Sequence, residues 1–270
     1  MKEVESISKW VEHRLIRGYY TFTLEDVKKE YTSFSDSYIK TAIGRLSKSG
    51  KIISPTKGFY VIVPVEYALS GLVPATFYID NMMDYLSRDY YIALLNAAGF
   101  YGAAHQRPQT FMVIHNGSPI RDAVRAGIRF QFINNKAIDA RFIRQQKSKL
   151  GTINVASPEL TAIDLVEHQS KVGGLNRVGT VLDELAENFD LSSMPDDFFA
   201  IYPVPVYQRL GYILDEVVDA SEQADILYTR LTRLKKPMRA TPLKTGKSIS
   251  DCELNRKWNV YVNHEIEIDE

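Results

Sequence analysis

The chemistry this sequence offers most plainly comes from five side chains on one predicted helix. Between Ser35 and Lys48, the residues Ser37, Lys40, Thr41, Arg45 and Lys48 fall together with Gly44 on one side. The opposite side carries Ile39, Ala42, Ile43 and Leu46 at i, i+3, i+4 and i+7, the stripe a helix buries. Hydroxyls and cations of this kind donate hydrogen bonds and neutralise anions; they do not make or break bonds unaided. No carboxylate lies between Ser37 and Lys51, whereas a solvated helix ordinarily mixes both signs along its surface. The face therefore asks for an anionic partner, and duplex DNA fits it. Gly44 costs about 1 kcal/mol against alanine inside a helix, a cost explained if a phosphate or groove wall approaches there. The competing reading is an ordinary solvated helix in a small interaction module.

A second group of cations has two readings of equal weight. Arg141, Arg144, Lys147 and Lys149 end one predicted strand, 140–145, and lead to the next, 152–156. They form either an anion-binding surface or the charged edge that keeps a sheet from pairing with a neighbour. A loop block of Arg230, Arg233, Lys235, Lys236 and Arg239 divides similarly, its plain account being compensation of a helix C-terminus.

Catalysis and metal binding find little to build on. The histidines, His13, His105, His115, His168 and His264, never stand at HxH or HxxxH spacing, and Cys252 is the one cysteine, so no metal centre is expected. His105 and His115 read as hydrogen-bonded structural residues. Asp164 falls inside an apolar helix, with Arg107 as a candidate partner. No phosphate-cradling glycine loop and no carboxylate cluster with a lysine is present. No cofactor and no reaction are therefore expected.

The positioning elements read as follows. Ser35 is the expected N-cap of the cationic helix. Lys51–Ser54 and Phe59–Val63 flank the turn residues Pro55-Thr-Lys-Gly58 and predict a hairpin with Lys57 at its tip. Upstream, Ile7, Trp10, Val11 and Leu15 predict a first helix, and Thr23-Leu-Glu-Asp26 a capping box opening a second. Helix, helix, helix and wing make a winged helix-turn-helix over residues 1–64. Residues 65–270 alternate helices (77–87, 89–103, one opened by Ser157-Pro158-Glu159, then three more) with strands at 110–115, 128–133, 140–145, 152–156 and 258–262. The expected fold class is α+β: an amino-terminal winged helix-turn-helix domain followed by a larger mixed α/β carboxy-terminal domain.

Charge is distributed in blocks. Residues 1–63 hold 11 basic against 7 acidic side chains, 121–149 hold 8 against 2, and 150–228 hold 3 against 14, within a chain of formal net charge zero. A lone cysteine argues for a reducing compartment, and no apolar run approaches 18 residues. A cytoplasmic protein without a membrane segment is expected.

Several strings carry a family resemblance: Leu94-Leu-Asn-Ala-Ala-Gly-Phe-Tyr-Gly102 with His105-Gln-Arg-Pro-Gln109, Ala156-Ser-Pro-Glu-Leu-Thr161 leading to Asp164-Leu165, Gly173-Gly174-Leu175, Gln208-Arg-Leu-Gly-Tyr212 and Trp258-Asn-Val-Tyr-Val-Asn263. With a winged helix in front of them, the sequence resembles the AbiEi antitoxins of abortive-infection type IV toxin-antitoxin systems. That resemblance implies a transcriptional repressor binding inverted repeats in promoter DNA of its own operon. It also implies a carboxy-terminal domain that counters a nucleotidyltransferase-like toxin without a stable complex. Ser37, Lys40, Thr41, Arg45, Lys48 and Lys57 would then be the DNA-binding residues, and Arg141, Arg144, Lys147 and Lys149 the candidate antitoxin surface. The alternatives are a module that docks directly on a partner enzyme, or an enzyme that modifies nucleic acid.

Overall fold

The amino-terminal elements run α1 (Ile7–Ile16), β1 (Thr21–Thr23), α2 (Leu24–Glu30), α3 (Asp36–Lys48), β2 (Ile52–Thr56) and β3 (Phe59–Ile62) in a computed structural model describing residues 5–104 and 108–268. Each helix starts where a side chain satisfies its free amides. The Thr23 hydroxyl accepts from the Asp26 amide at 3.1 Å while the Asp26 carboxylate accepts from the Thr23 amide at 2.8 Å, closing the expected capping box. The Ser35 hydroxyl accepts from the Tyr38 amide at 3.2 Å. Ile39, Ile43 and Leu46 of α3 join Ile7, Val11, Val27 and Tyr31 in a core confined to residues 7–62. The hairpin is tighter than expected: β2 continues through Pro55 and Thr56, leaving Lys57-Gly58 as the turn with Gly58 at φ +82°. The ladder shifts register between Ile53 and Thr56, and such a bulge admits a proline that cannot donate. β1, which sequence reading misses, pairs antiparallel with β3 to give the order β1-β3-β2.

Beyond Pro64 come α4 (Ile79–Tyr85), β4 (Tyr90–Ile92), α5 (Leu94–Phe100), β5 (Thr110–His115), β6 (Ala123–Arg125), β7 (Ile128–Asn134), β8 (Ile143–Ser148) and β9 (Gly151–Ala156). A six-stranded mixed sheet has the order β6-β7-β5-β4-β9-β8. The expected helix over 89–103 is two elements. Tyr90–Ile92 pairs antiparallel with β5 and parallel with β9, so distant partners override a local pattern that suits either structure. Leu94, at φ +54°, then turns the chain into α5. The strand expected at 140–145 begins later, after a 3-10 turn at Ala140–Phe142. The 77–87 helix is likewise shortened, with a 3-10 turn at Ala75–Phe77 before α4.

The chain divides into two compact units. One takes the residues up to Ile92 with Gln109–Asp139 and Gln145–Val155, and the other takes Ala93–Pro108, Ala140–Arg144 and the chain from Ala156 on. The second unit is mainly helical: α6 (Pro158–Glu167), α7 (Leu175–Leu185), α8 (Val204–Glu216) and α9 (Ser221–Arg233), with short strands β10 (Thr241–Pro242), β11 (Leu254–Asn255) and β12 (Val260–Tyr261). Ser157 caps α6, which is buried from Pro158 to Val166.

Two strings that carried the resemblance meet here. Gln208 donates to the carbonyls of Trp258 and Arg239 at 2.6 and 2.9 Å, and Arg209 to that of Pro242 at 2.9 Å. A Cβ on Gly211 would lie 2.1 Å from the Trp258 ring, whose Nε1 donates to Asp215 at 2.9 Å. Asn263 donates to the carbonyls of Lys244 and Lys247, both at 3.0 Å. Gln208, Arg209 and Asp215 fasten this segment to α8, and Asn263 ties it to the 244–247 loop.

Candidate nucleic-acid interface

On α3, Ser37, Lys40, Thr41, Arg45 and Lys48 are all exposed, and Ile39, Ile43 and Leu46 opposite them are buried. The 3.6-residue period alone produces that separation. The Thr41 hydroxyl donates back to the Ser37 carbonyl at 2.8 Å. Gly44 has nothing within 4 Å of where a Cβ would stand, so no neighbour in this fold demands a glycine there.

The electrostatics separate this face from its surroundings. Asp36, the one carboxylate of α3, is held by Lys28 at 2.9 Å, and that hydrogen bond keeps its carboxyl below the ordinary range. Lys51, just past the helix, is taken up by Glu12 at 2.9 Å, which lowers the Glu12 carboxyl too. Lys40, Arg45 and Lys48 have no ion-pair partner among the described residues. Three cations are thus left together on one exposed side, while the neighbouring Lys28 and Lys51 are paired.

The hairpin beside α3 is anchored. Lys57 is exposed, but its main-chain carbonyl accepts from the Tyr85 hydroxyl at 3.1 Å, and the Phe59 and Tyr85 rings lie 5.6 Å apart. A Cβ on Gly58 would come within 2.6 Å of the Tyr85 oxygen. The Arg125 guanidinium donates to the Pro55 carbonyl at 3.1 Å and lies over Phe132 at 5.4 Å. Neither Tyr85 nor Arg125 stands out in the sequence, since an anchor made by residues 28 and 70 positions away leaves no local pattern.

The second cationic set is largely compensated. Arg141 pairs with Asp197, Arg144 lies 3.7 Å from the buried carboxylate of Glu159, and Lys149 lies 3.3 Å from Glu66. Lys147 is exposed and has no ion pair among the described residues. The two units share the four: Arg141 and Arg144 fall in one, Lys147 and Lys149 in the other. β8, which carries Arg144 and Lys147, is an edge strand, as the edge-protection reading expects.

The remaining candidates are structural where they are described. Asp164 is fully buried and accepts from the Tyr202 hydroxyl at 2.7 Å; the pairing expected with Arg107, and His105 itself, lie outside the described residues. His115 is buried, its Nδ1 2.7 Å from the Asn116 carbonyl. Burial, assisted by Lys171, pushes the His168 imidazole down to about 4. Among the described residues no group of three or more His, Cys, Asp or Glu side chains could hold a metal ion, and no helix is long and apolar enough to cross a membrane.

Comparison with known proteins agrees with the fold. Residues 91–216 match the family model of the AbiEi antitoxin C-terminal domain. The chain is similar to the crystal structure of the RV2827C protein from Mycobacterium tuberculosis. The TM-score is 0.67 at 15% sequence identity, over 94% of this chain and 89% of that one; at that identity the likeness speaks for the fold alone. No curated protein matches the sequence significantly.

Proposed function

We propose, from the match of residues 91–216 to the AbiEi antitoxin C-terminal domain, that this chain is a DNA-binding antitoxin that represses its own operon. Residues 1–64 are the DNA-binding domain in this reading. The order α1, β1, α2, α3, β2, β3 with a three-stranded sheet suits a winged helix-turn-helix, in which the helix before the hairpin enters the major groove. The observation that carries the reading is the exposed, unpaired trio Lys40, Arg45 and Lys48 on that helix, the charge pattern a polyphosphate partner requires. Thr41 and Arg45 reach base edges, with Ser37 and Lys40 beside them. Lys48 and Lys57 hold phosphates.

The carboxy-terminal domain opposes a nucleotidyltransferase-like toxin without forming a stable complex with it, and the chain itself performs no reaction. We do not include Arg141, Arg144 and Lys149 in the DNA surface, because each has a carboxylate partner. A mobility-shift titration on a fragment of the chain's own promoter tests the reading. The wild type is expected to retard the fragment, and the Lys40→Ala and Arg45→Ala proteins to do so only at much higher concentration. Equal retardation by all three removes α3 from the interface.

A further inference from the structure

Tyr38 stands apart from the other residues of α3. It sits in the first turn of the helix, yet its side chain is not folded into the core: Tyr38 is 51% exposed. Here the ring is held out by a ladder of neighbours. Tyr31, buried at 4% exposure, stacks on Phe34 with centroids 5.3 Å apart and planes 11° from parallel. Phe34 in turn meets Tyr38 edge-on, with centroids 4.7 Å apart and planes at 62°. The buried end of the ladder fixes the exposed end, so Tyr38 presents a preorganised apolar surface and loses little freedom when it docks. At about 100° per residue, Tyr38, Thr41 and Arg45 lie along one flank of α3, so the exposed side of the ring adjoins Arg45 while its other edge rests on Phe34.

We infer that Tyr38 reads thymine, its ring packing on the 5-methyl group in the major groove. This rests on the reading of α3 as the recognition helix. Residues in the first turn of such a helix reach deepest toward base edges. In the major groove the thymine methyl is the one apolar feature that distinguishes a base pair. A hydroxyl at this position could serve a phosphate, but a rigidly held ring adjoining a cationic face matches an apolar spot surrounded by anionic walls. Tyr38 is then a specificity-determining residue, while the lysines supply affinity without discrimination.

The test uses a duplex recovered by the full-length protein from a randomised pool, and the same duplex with deoxyuridine in place of every thymine in its recovered core. The wild type is expected to bind the deoxyuridine duplex about three- to fivefold more weakly, the effect of losing one buried methyl contact. Tyr38→Phe is expected to keep that discrimination; Tyr38→Ala is expected to bind both duplexes weakly and alike. The assignment is overturned if the wild type binds the two duplexes equally, if Tyr38→Ala still discriminates, or if the recovered core contains no thymine. Salt-sensitive binding without methyl discrimination removes Tyr38 alone. Absence of salt-sensitive binding removes the reading of α3 as well.

Discussion

The Tyr85 hydroxyl donates to the main-chain carbonyl of Lys57 across 3.1 Å and so ties the tip of the β2–β3 hairpin to α4. The same oxygen stands 2.6 Å from where a Cβ on Gly58 would be, so a side chain there would displace the Tyr85 hydroxyl, and the φ of +82° itself favours glycine. Arg125 holds β2 through Pro55 at 3.1 Å. In the proposed reading, a hairpin held at its tip and along β2 would meet a duplex already in position, its ordering cost met on folding rather than on binding.

Tyr85→Phe should therefore act on both processes. Removal of one partly exposed hydrogen bond costs about 0.5–1.5 kcal/mol of folding stability. It should also weaken DNA binding, because the hairpin must then be ordered on contact. Urea denaturation and fluorescence anisotropy on the same protein check this; unchanged affinity beside the lost stability would mean that the Tyr85–Lys57 tie contributes nothing to binding.

Two glycine-to-alanine substitutions should move stability in opposite directions. At Gly211 the added methyl would lie 2.1 Å from the buried Trp258 ring, and overpacking of that severity costs about 1–3 kcal/mol or more. At Gly44 nothing lies within 4 Å, so Gly44→Ala should gain about 0.5–1 kcal/mol from helix propensity while binding DNA less well. Urea midpoints of the two proteins, beside a binding curve for Gly44→Ala, test the pair. A Gly44→Ala protein that is more stable and binds as tightly as wild type would show that no groove wall approaches there.

Stability should also fall in mild acid. His168 is kept neutral by burial, its imidazole pushed down to about 4, whereas in the unfolded chain it titrates near 6.5. Below about pH 6.5 the unfolded state takes the proton first. The contribution is thus complete above that pH and is lost as pH falls toward 4, by at most ~1.4 kcal/mol per pH unit. His168→Gln should flatten the stability profile between pH 6.5 and 4.5, measured by urea titration at each pH.

What was legible in the sequence follows from how local each signal is. The Thr23–Asp26 box, the Ser35 and Ser157 caps and the buried stripe of α3 involve partners within one or two helical turns, and each stands where expected. The cationic face was legible for the same reason, since spacing alone separates Lys40 and Arg45 from Ile39 and Ile43. Tyr90–Ile92 was not, because its partners in β5 and β9 are decided by tertiary pairing. The hairpin anchors Tyr85 and Arg125 were hidden likewise. Charge in the sequence also leaves out the partners of Arg141, Arg144 and Lys149, because Asp197, Glu159 and Glu66 lie far along the chain.

The salt dependence of DNA binding tests the interface most directly. Each lysine that neutralises a phosphate releases counterions and contributes about −0.9 to the slope of log K against log salt concentration. Wild-type protein and the Lys48→Ala variant are titrated with one promoter duplex from low to physiological salt. A steep negative slope is expected for wild type and a slope shallower by about one for Lys48→Ala, with the loss uniform across DNA sequences. Parallel slopes for the two proteins would contradict this and leave the exposed cations of α3 without a polyanionic partner.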